Sequence, residues 1–504
     1  VNIMMLLEMA ASGFGDRVAV GNREGGLTYQ QLFDRAGAAA DRFRSEPIEH
    51  VAMVDVASEA LPISLFGAAW AGLPFVPINY RLADDELRAL VARVSPGTVI
   101  CDPSAEARVQ GVDGVSTVTR PDYLADLASR ASAAPEWGMD AEDIAILLFT
   151  SGTTGVPKAA VLRHKHLVSY IFGSVEFMGA GEEEATLMSV PPYHIAGMAA
   201  ILSSVYAGRR IVQLPNFNAE EWVDIATREE VTHAMVVPTM LARIVEVLAE
   251  RNATIPSLRH LSYGGGKMPH PVIDEALYLL PHTNFVNAYG LTETSSTICL
   301  LGPEDHREAH RNDDPAVRQR LSSVGRPLPS IEVSIRDEQG KEVEPFETGE
   351  IWVRGEQVSG EYLGRGSQLN ADGWFCTKDG GWMDDAGFLY ISGRVDDIII
   401  RGGENISPGE IEDVLMEHPA VADACAIGVP DAHWGERVVA AIVLHEGSEV
   451  TQEELQEFVK TYLRSSRTPE HFEFKPELPY NETGKLLRRV IREDLAHLGD
   501  GSTL

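Results

Sequence analysis

The stretch "LLFTSGTTGVPKAA", Leu147–Ala160, runs from an apolar segment into threonines, glycines and a single lysine. The apolar part, with Ala145 and Ile146 before it, reads as a buried strand. The loop after it has the composition of a phosphate cradle. Gly152 and Gly155 let the backbone approach an oxyanion, Thr150, Ser151, Thr153 and Thr154 supply hydroxyl donors, and Lys158 adds a point charge. A strand that delivers such a loop to the end of a sheet is where α/β proteins bind ligands. This is not a Walker A loop, which needs Gly-Lys-Ser/Thr. Here Val156 and Pro157 separate Gly155 from Lys158, and Ala159 follows. Taken alone, the loop also reads as a bare turn.

Outward from the loop, short apolar runs alternate with helical patterns. "HVAMVDV", "GTVICD", "THAMVVP" and "NFVNAYG" read as strands. "LTYQQLFDRAGAAADRF" reads as a helix with Thr28 and Gln31 as its capping box. The alternation predicts α/β layers with mostly parallel sheets. Past "ISGRVDDIIIRGGENISPGEIEDVL" the texture becomes that of a small α+β unit. Ser407, Pro408 and Glu410 fit N-cap, N1 and N3 of one helix, with Ile411, Val414 and Leu415 on one face. Thr451 and Glu454 fit a second capping box. The expected organisation is a large domain over residues 1–395 and a small one over 396–504. The polar connection between them is too short for a flexible tether and suits a hinge.

Composition sets outer limits. At about 100–200 residues per domain, a chain of 504 residues holds several structural units. A net charge of −33 argues against nucleic acid and acidic membranes as partners, although a few placed cations can still define a local anion site. No apolar run approaches the roughly 20 residues of a membrane span. The first residues, "VNIMMLLEMAASGFGDR", lack a basic n-region and read as an amphipathic helix, not a signal peptide. The four cysteines have no metal-ligand or CxxC spacing, so a reducing cytoplasm is the expected compartment.

The loop is one of an ordered series. "PPYHIAG" (191–197), "YGGGKMP" (263–269), "NAYGLTET" (287–294), "GWFCTKD" (373–379), "GRVDDIIIRGGENISPGEIE" (393–412) and "NETGK" (481–485) follow it. Together they resemble the adenylate-forming superfamily, in texture closest to the benzoate and fatty-acid CoA ligases, over nearly the whole chain. The resemblance implies a large N-terminal domain of layered α/β sheets with a β-barrel-like subdomain, and a small mobile C-terminal domain hinged at Asp396. It also implies two half-reactions with ATP, Mg²⁺ and CoA. A carboxylate attacks the α-phosphate of ATP, giving acyl-AMP and pyrophosphate; a thiol then displaces AMP.

By the same resemblance, Glu293 is the magnesium ligand and Thr292 holds the α-phosphate. Tyr289 offers a face to adenine, Asn287 an amide to its amino edge, and Gly264, Gly265 and Gly266 leave room for the base. Asp379 and Arg394 are ribose contacts. His194 lines the path between carboxylate and α-phosphate; its alternative is a packed core histidine. Lys485 is the lysine that the small domain brings to the adenylation site. Gly402 and Gly403 line a pantetheine tunnel, Trp434 packs on the pantetheine, and Arg81 lies near the CoA phosphates. For the last two, ordinary packing and an ordinary ion pair are the alternatives. The chain departs from the family pattern at Cys376 and Lys378. The family usually has glycine at the second of these, and a glycine there permits a positive φ.

The acyl pocket implied by the resemblance is lined by Phe172, Ile195, Met198, Tyr263, Gly264, Thr294 and Ser295. These are apolar or small and include no arginine, which favours a hydrophobic monocarboxylate: fatty, aromatic or alicyclic. Lys267 is the one odd charge, facing a polar substituent or solvent. The expected function is an acid–CoA ligase. Two other readings stay open: an acyl-AMP ligase that loads a carrier protein, and a silent nucleotide- or acyl-CoA-binding homologue. For quaternary structure a homodimer is the expectation.

Overall fold

The protein was analysed as a computed structural model that describes residues 1–150, 157–481 and 484–499. Two large, mainly parallel sheets carry most of the chain. One has nine strands and the other eight. The helix Tyr29–Arg44 begins at the Thr28 cap, whose hydroxyl accepts from the Gln31 N–H while the Gln31 side chain accepts from the Thr28 N–H. It packs on the wholly buried helix Ala60–Ala71. The first helix, Met4–Phe14, inserts Met4, Leu6, Leu7 and Ala10 into the same core.

The strands expected from sequence fall at His50–Val54, Gly97–Cys101, His233–Val236 and Asn284–Leu291. In the nine-stranded sheet, His233–Val236, His260–Gly264 and Asn284–Leu291 run parallel and adjacent. Their C-terminal ends therefore bring Gly264 and the segment after Ala288 to one edge. In the eight-stranded sheet, Ile144–Thr150 is hairpinned to the antiparallel strand Lys158–Arg163, with Thr150 opposite Lys158.

The part expected to be barrel-like is a four-stranded antiparallel sheet of Glu332–Arg336, Gly349–Arg354, Phe375–Met383 and Leu389–Arg394. Among the described residues its two end strands, Glu332–Arg336 and Leu389–Arg394, do not pair with each other, so its path is open.

The last sheet is built wholly from residue 399 onward, around the long hairpin Val421–Asp431 and Gly435–Leu444. Helix Pro408–Met416 buries Ile411 and Leu415 against it. The expected box at Ser407 does not form. The Ser407 hydroxyl donates instead to the carbonyl of Ser392 at 2.6 Å, and Glu410 is taken by Arg467 at 2.6 Å. The box at Thr451 and Glu454 does form. Among the described residues, no helix is long and apolar enough to cross a membrane.

Candidate active site

The site assembles at the shared end of the sheets. Thr150 and Lys158 close the base of the opening loop, with the Thr150 hydroxyl 3.4 Å from the Lys158 carbonyl. Ser151, Gly152, Thr153, Thr154 and Gly155 lie outside the described residues. The Lys158 ammonium stands 5.4 Å from the ring centre of Tyr362, a cation–π distance. Tyr362 pairs in register with Ala160 on the same hairpin, and its hydroxyl donates to Glu293 Oε1 at 2.5 Å. The Glu293 carbonyl accepts from the N–H groups of Ser359 and Gly360 at 2.8 and 3.1 Å. Lys158 and Glu293 are thus joined through one tyrosine that sequence reasoning missed. Nothing in "GEYLG" marks it, because its role depends on cross-strand register.

Glu293 sits in a strained turn. Ser295 and Ser296 follow with φ of 55° and 102°, a region that L-residues seldom adopt. A Cβ at Gly290 would stand 1.9 Å from the Ser296 carbonyl oxygen, so only glycine fits beneath the turn. Among the described residues, no group of three or more His, Cys, Asp or Glu could hold a metal. A single carboxylate is the donor set expected for Mg²⁺, which commonly takes one or two carboxylates and completes its shell with phosphate oxygens and water.

A second cluster joins the proposed nucleotide residues. The Tyr289 hydroxyl donates to Asp379 Oδ2 at 2.5 Å, and Arg394 reaches Asp379 Oδ1 at 3.1 Å and the Thr377 carbonyl at 2.9 Å. Burial and the neighbouring Asp379 carboxylate push the Tyr289 phenol well above its ordinary range, so it remains a donor. Asn287 is buried, and its Nδ2 donates to the Ser323 carbonyl at 3.1 Å. Lys378 has φ of 63°, the conformation that the family's usual glycine would take without strain. The Cys376 thiol, pushed up to about 11 by burial and its bond to Glu350, shares that carboxylate with Lys378, whose ammonium lies 3.7 Å from it.

Within the glycine triplet, Gly264 is crowded, whereas Gly265 and Gly266 are exposed. A Cβ at Gly264 would lie 2.2 Å from the Ala288 carbonyl oxygen, and Gly265 has φ of 82°. Gly266 faces Gly484, whose carbonyl oxygen is 3.5 Å from where a Gly266 Cβ would be. Gly484 is itself wedged beside Thr239 and Val237, at 2.7 and 2.9 Å from its own missing Cβ. The next residue is Lys485. Its N–H donates to Asn481 Oδ1 at 2.8 Å. Three residues later Arg488 pairs with the buried Glu412 and donates to the Ala426 carbonyl at 2.8 Å, which anchors the lysine segment on the last sheet.

His194 precedes helix Ile195–Ala207, and burial lowers its pKa to about 4, leaving it neutral at pH 7. Its neighbour Tyr193 meets Tyr80 edge-on at 5.7 Å, which ties this turn to the segment bearing Arg81. Of the expected acyl-pocket residues, Met198, Tyr263 and Thr294 have no exposed surface. Tyr263 donates or accepts at His306 Nε2 over 2.8 Å, and the Thr294 hydroxyl caps its own turn through Leu291 and Ser296. Phe172 lies at the surface, its ring tilted against that of Tyr206 with centres 5.3 Å apart. Ile195 is half-buried, and the Ser295 hydroxyl is buried with no partner among the described residues.

Gly402 and Trp434 are in contact. The Gly402 N–H donates to the Trp434 carbonyl at 2.7 Å, and a Gly402 Cβ would be 3.0 Å from the indole. Gly402 and Gly403 have φ of 57° and 82°, and Trp434 is 54% exposed. The Arg81 guanidinium donates to Asn216 Oδ1 at 3.3 Å.

Residues 7–363 match the AMP-binding enzyme family, and residues 410–485 match the AMP-binding enzyme C-terminal domain. The chain belongs to the AMP-binding enzyme family. Among its relatives, a 2-succinylbenzoate–CoA ligase of Bacillus licheniformis is 34% identical, over 94% of this chain and 96% of that one. A fatty acid–[acyl-carrier-protein] ligase, ScoC of Streptomyces coeruleorubidus, is 30% identical over 93% and 91%. The o-succinylbenzoate CoA synthetase MenE of Bacillus subtilis, solved with its acyl-adenylate intermediate, superposes with a TM-score of 0.83 at 30% identity, covering 97% of both chains. The same synthetase is also known in complex with ATP and a magnesium ion.

Proposed function

We propose that this AMP-binding enzyme is an acid–CoA ligase. It activates a hydrophobic monocarboxylic acid with ATP and passes the acyl group to CoA. In the first half-reaction a carboxylate oxygen attacks the α-phosphorus, and pyrophosphate leaves. In the second, the CoA thiol loses its proton and attacks the acyl carbonyl, and AMP leaves. The observation that carries this reading is the convergence of Lys158, Tyr362 and Glu293 at the base of the phosphate loop, with the Gly484–Lys485 segment seated on the glycine triplet.

Each side chain has a role in that scheme. Asp379, oriented by Tyr289 and Arg394, accepts from the ribose hydroxyls. Thr292, Lys158 and the loop donors hold the phosphates. Glu293 holds Mg²⁺, which neutralises phosphate charge when bound. Lys485 places a cation at the oxygens where charge develops, and such preorganised charge is strongest where water is excluded. Neutral His194 lines the acid's approach without adding a cation. The small domain then turns near Asp396 and offers Gly402, Gly403 and Trp434 to the pantetheine arm. The four unpaired cysteines fit a reducing, cytoplasmic setting.

The test is pyrophosphate and AMP release across a panel of carboxylic acids, with and without CoA. Release of ADP would remove the reading. The similarity to ScoC supports a second acceptor, a carrier-protein thiol, and acyl transfer to a carrier protein in preference to CoA would select it.

A further inference from the structure

The expectation for Lys267 is a polar substituent or solvent. Its side chain is partly exposed, but its ammonium is also engaged by protein groups. It donates to the Gly409 carbonyl at 2.8 Å and pairs with Asp413 Oδ1 at 2.6 Å. Gly409 and Asp413 are four residues apart on helix Pro408–Met416, hence on one face, and one ammonium reaches both. A Cβ at Gly409 would be 3.1 Å from the Lys267 ammonium, a close approach that the glycine leaves unobstructed. The residue just before Lys267 is Gly266, which faces Gly484, the residue just before Lys485. Two consecutive residues of the glycine loop therefore hold two separate elements of the C-terminal part: the lysine segment and the helix.

We propose that Lys267 is a positioning residue, a latch that holds the C-terminal part in the arrangement presenting Lys485 to the adenylation site. This rests on the two-half-reaction reading above. Turning about Asp396 must break the contacts to Gly409 and Asp413, so the latch favours the first half-reaction and opposes passage to the second. The side chains of Lys267 and Asp413 are 42% and 48% exposed, so the pair is weak by itself. A weak contact is sufficient here. Between two nearly balanced arrangements it shifts the populations several-fold, and a stronger one would block turnover.

The test uses Lys267→Met, Asp413→Asn and the exchanged pair Lys267→Asp with Asp413→Lys in the full chain. ATP–pyrophosphate exchange reads the first half-reaction. Thioester formation from supplied acyl-AMP reads the second. Each single variant is expected to slow exchange about three- to tenfold, with the second step unchanged or faster, and the exchanged pair should recover most of the loss. Equal loss in both steps, or no recovery in the exchanged pair, overturns the latch. Dye pairs on the two parts give a readout without catalysis: Lys267→Met must lower the share of molecules in the arrangement described here. An unchanged share also overturns the latch. If the wild-type chain exchanges no pyrophosphate with any acid, the ligase reading fails, and the dye measurement still decides the latch.

Discussion

The Tyr362 hydroxyl lies 2.5 Å from Glu293 Oε1, and its ring stands over Lys158. The hydroxyl fixes one carboxylate oxygen and thereby aims the other. Tyr362→Phe keeps the ring and removes only that donor. A hydrogen bond to a charged group contributes about 1.5–3 kcal/mol. The variant should therefore need about tenfold more Mg²⁺ for half-maximal pyrophosphate exchange, with the secondary structure unchanged. A magnesium titration of both proteins checks this. Coincident curves would reduce Tyr362 to packing.

Lys378 carries a backbone conformation that suits glycine. An L-residue held at positive φ costs about 1 kcal/mol, whereas a glycine loses about 0.5–1 kcal/mol more chain entropy on folding than alanine does. The two terms nearly cancel for Lys378→Gly. That variant should match the wild type in urea denaturation within about 0.5 kcal/mol and keep its ATP affinity. Lys378→Val adds a β-branched side chain at the same φ and should lose at least about 1 kcal/mol. If glycine destabilises as much as valine, Lys378 makes contacts that its exposed, 3.7 Å approach to Glu350 does not reveal.

What could be read in advance follows a physical division. Periodicity and capping chemistry are local, so the strand at His50–Val54, the helix capped by Thr28 and the box at Thr451 were legible. The positive φ at Lys378 was legible only through the family resemblance, which puts a glycine there, because lysine itself gives no sign of that conformation. Tyr362, Lys267 and Arg488 were not. Their roles come from partners 69, 142 and 76 residues away, set by sheet register and by how the C-terminal part docks. Ser407 fails as a cap for the same reason: a distant carbonyl, that of Ser392, wins its hydroxyl. The acyl pocket was least legible. Tyr263, Met198 and Thr294 are apolar or small in sequence, yet each is enclosed by contacts that no linear pattern displays.

Acid should destabilise the fold through its buried histidines. Burial lowers the pKa of His164, His166 and His306 to about 4 each, from an ordinary value near 6.5. A histidine depressed in the folded state takes up its proton first in the unfolded chain. Stability is therefore complete above pH 6.5 and falls as pH drops toward 4, at up to about 1.4 kcal/mol per pH unit for each group. Asp55, raised to about 6 by burial despite the Arg120 cation, and Asp423, also raised by burial, oppose this over the lower part of the range, while His194, His233 and His260, likewise lowered by burial, add to it. Urea midpoints at pH 7 and pH 5 should show a clear loss at pH 5. His306→Gln, tested alone, should flatten part of that slope. A midpoint that does not move between the two pH values would mean that these imidazoles become protonated without unfolding.

Lys485 and Asp396 should separate the two half-reactions. Lys485 immediately follows Gly484, whose carbonyl faces Gly266 of the glycine triplet, and the proposed function gives it acyl-AMP formation. Lys485→Ala removes a cation aimed at developing charge, and loss of one such preorganised group typically slows the step about a hundredfold or more. Given ready-made acyl-AMP, the same variant should still form acyl-CoA, because in the proposed cycle the lysine has by then turned away. Asp396 lies exposed in the single turn Val395–Asp397, between the strand ending at Arg394 and the last sheet. Proline fixes φ near −65°, which a turn of this kind accepts and a hinge rotation does not. Crowding of Val395 by the ring adds some strain, so continued acyl-AMP formation is the control that the site survives. Asp396→Pro should then accumulate acyl-AMP and fail to pass it to CoA. Single-turnover assays of each half-reaction on both variants supply the measurement. Parallel loss of both steps in both variants would show that this enzyme does not work by turning its C-terminal part.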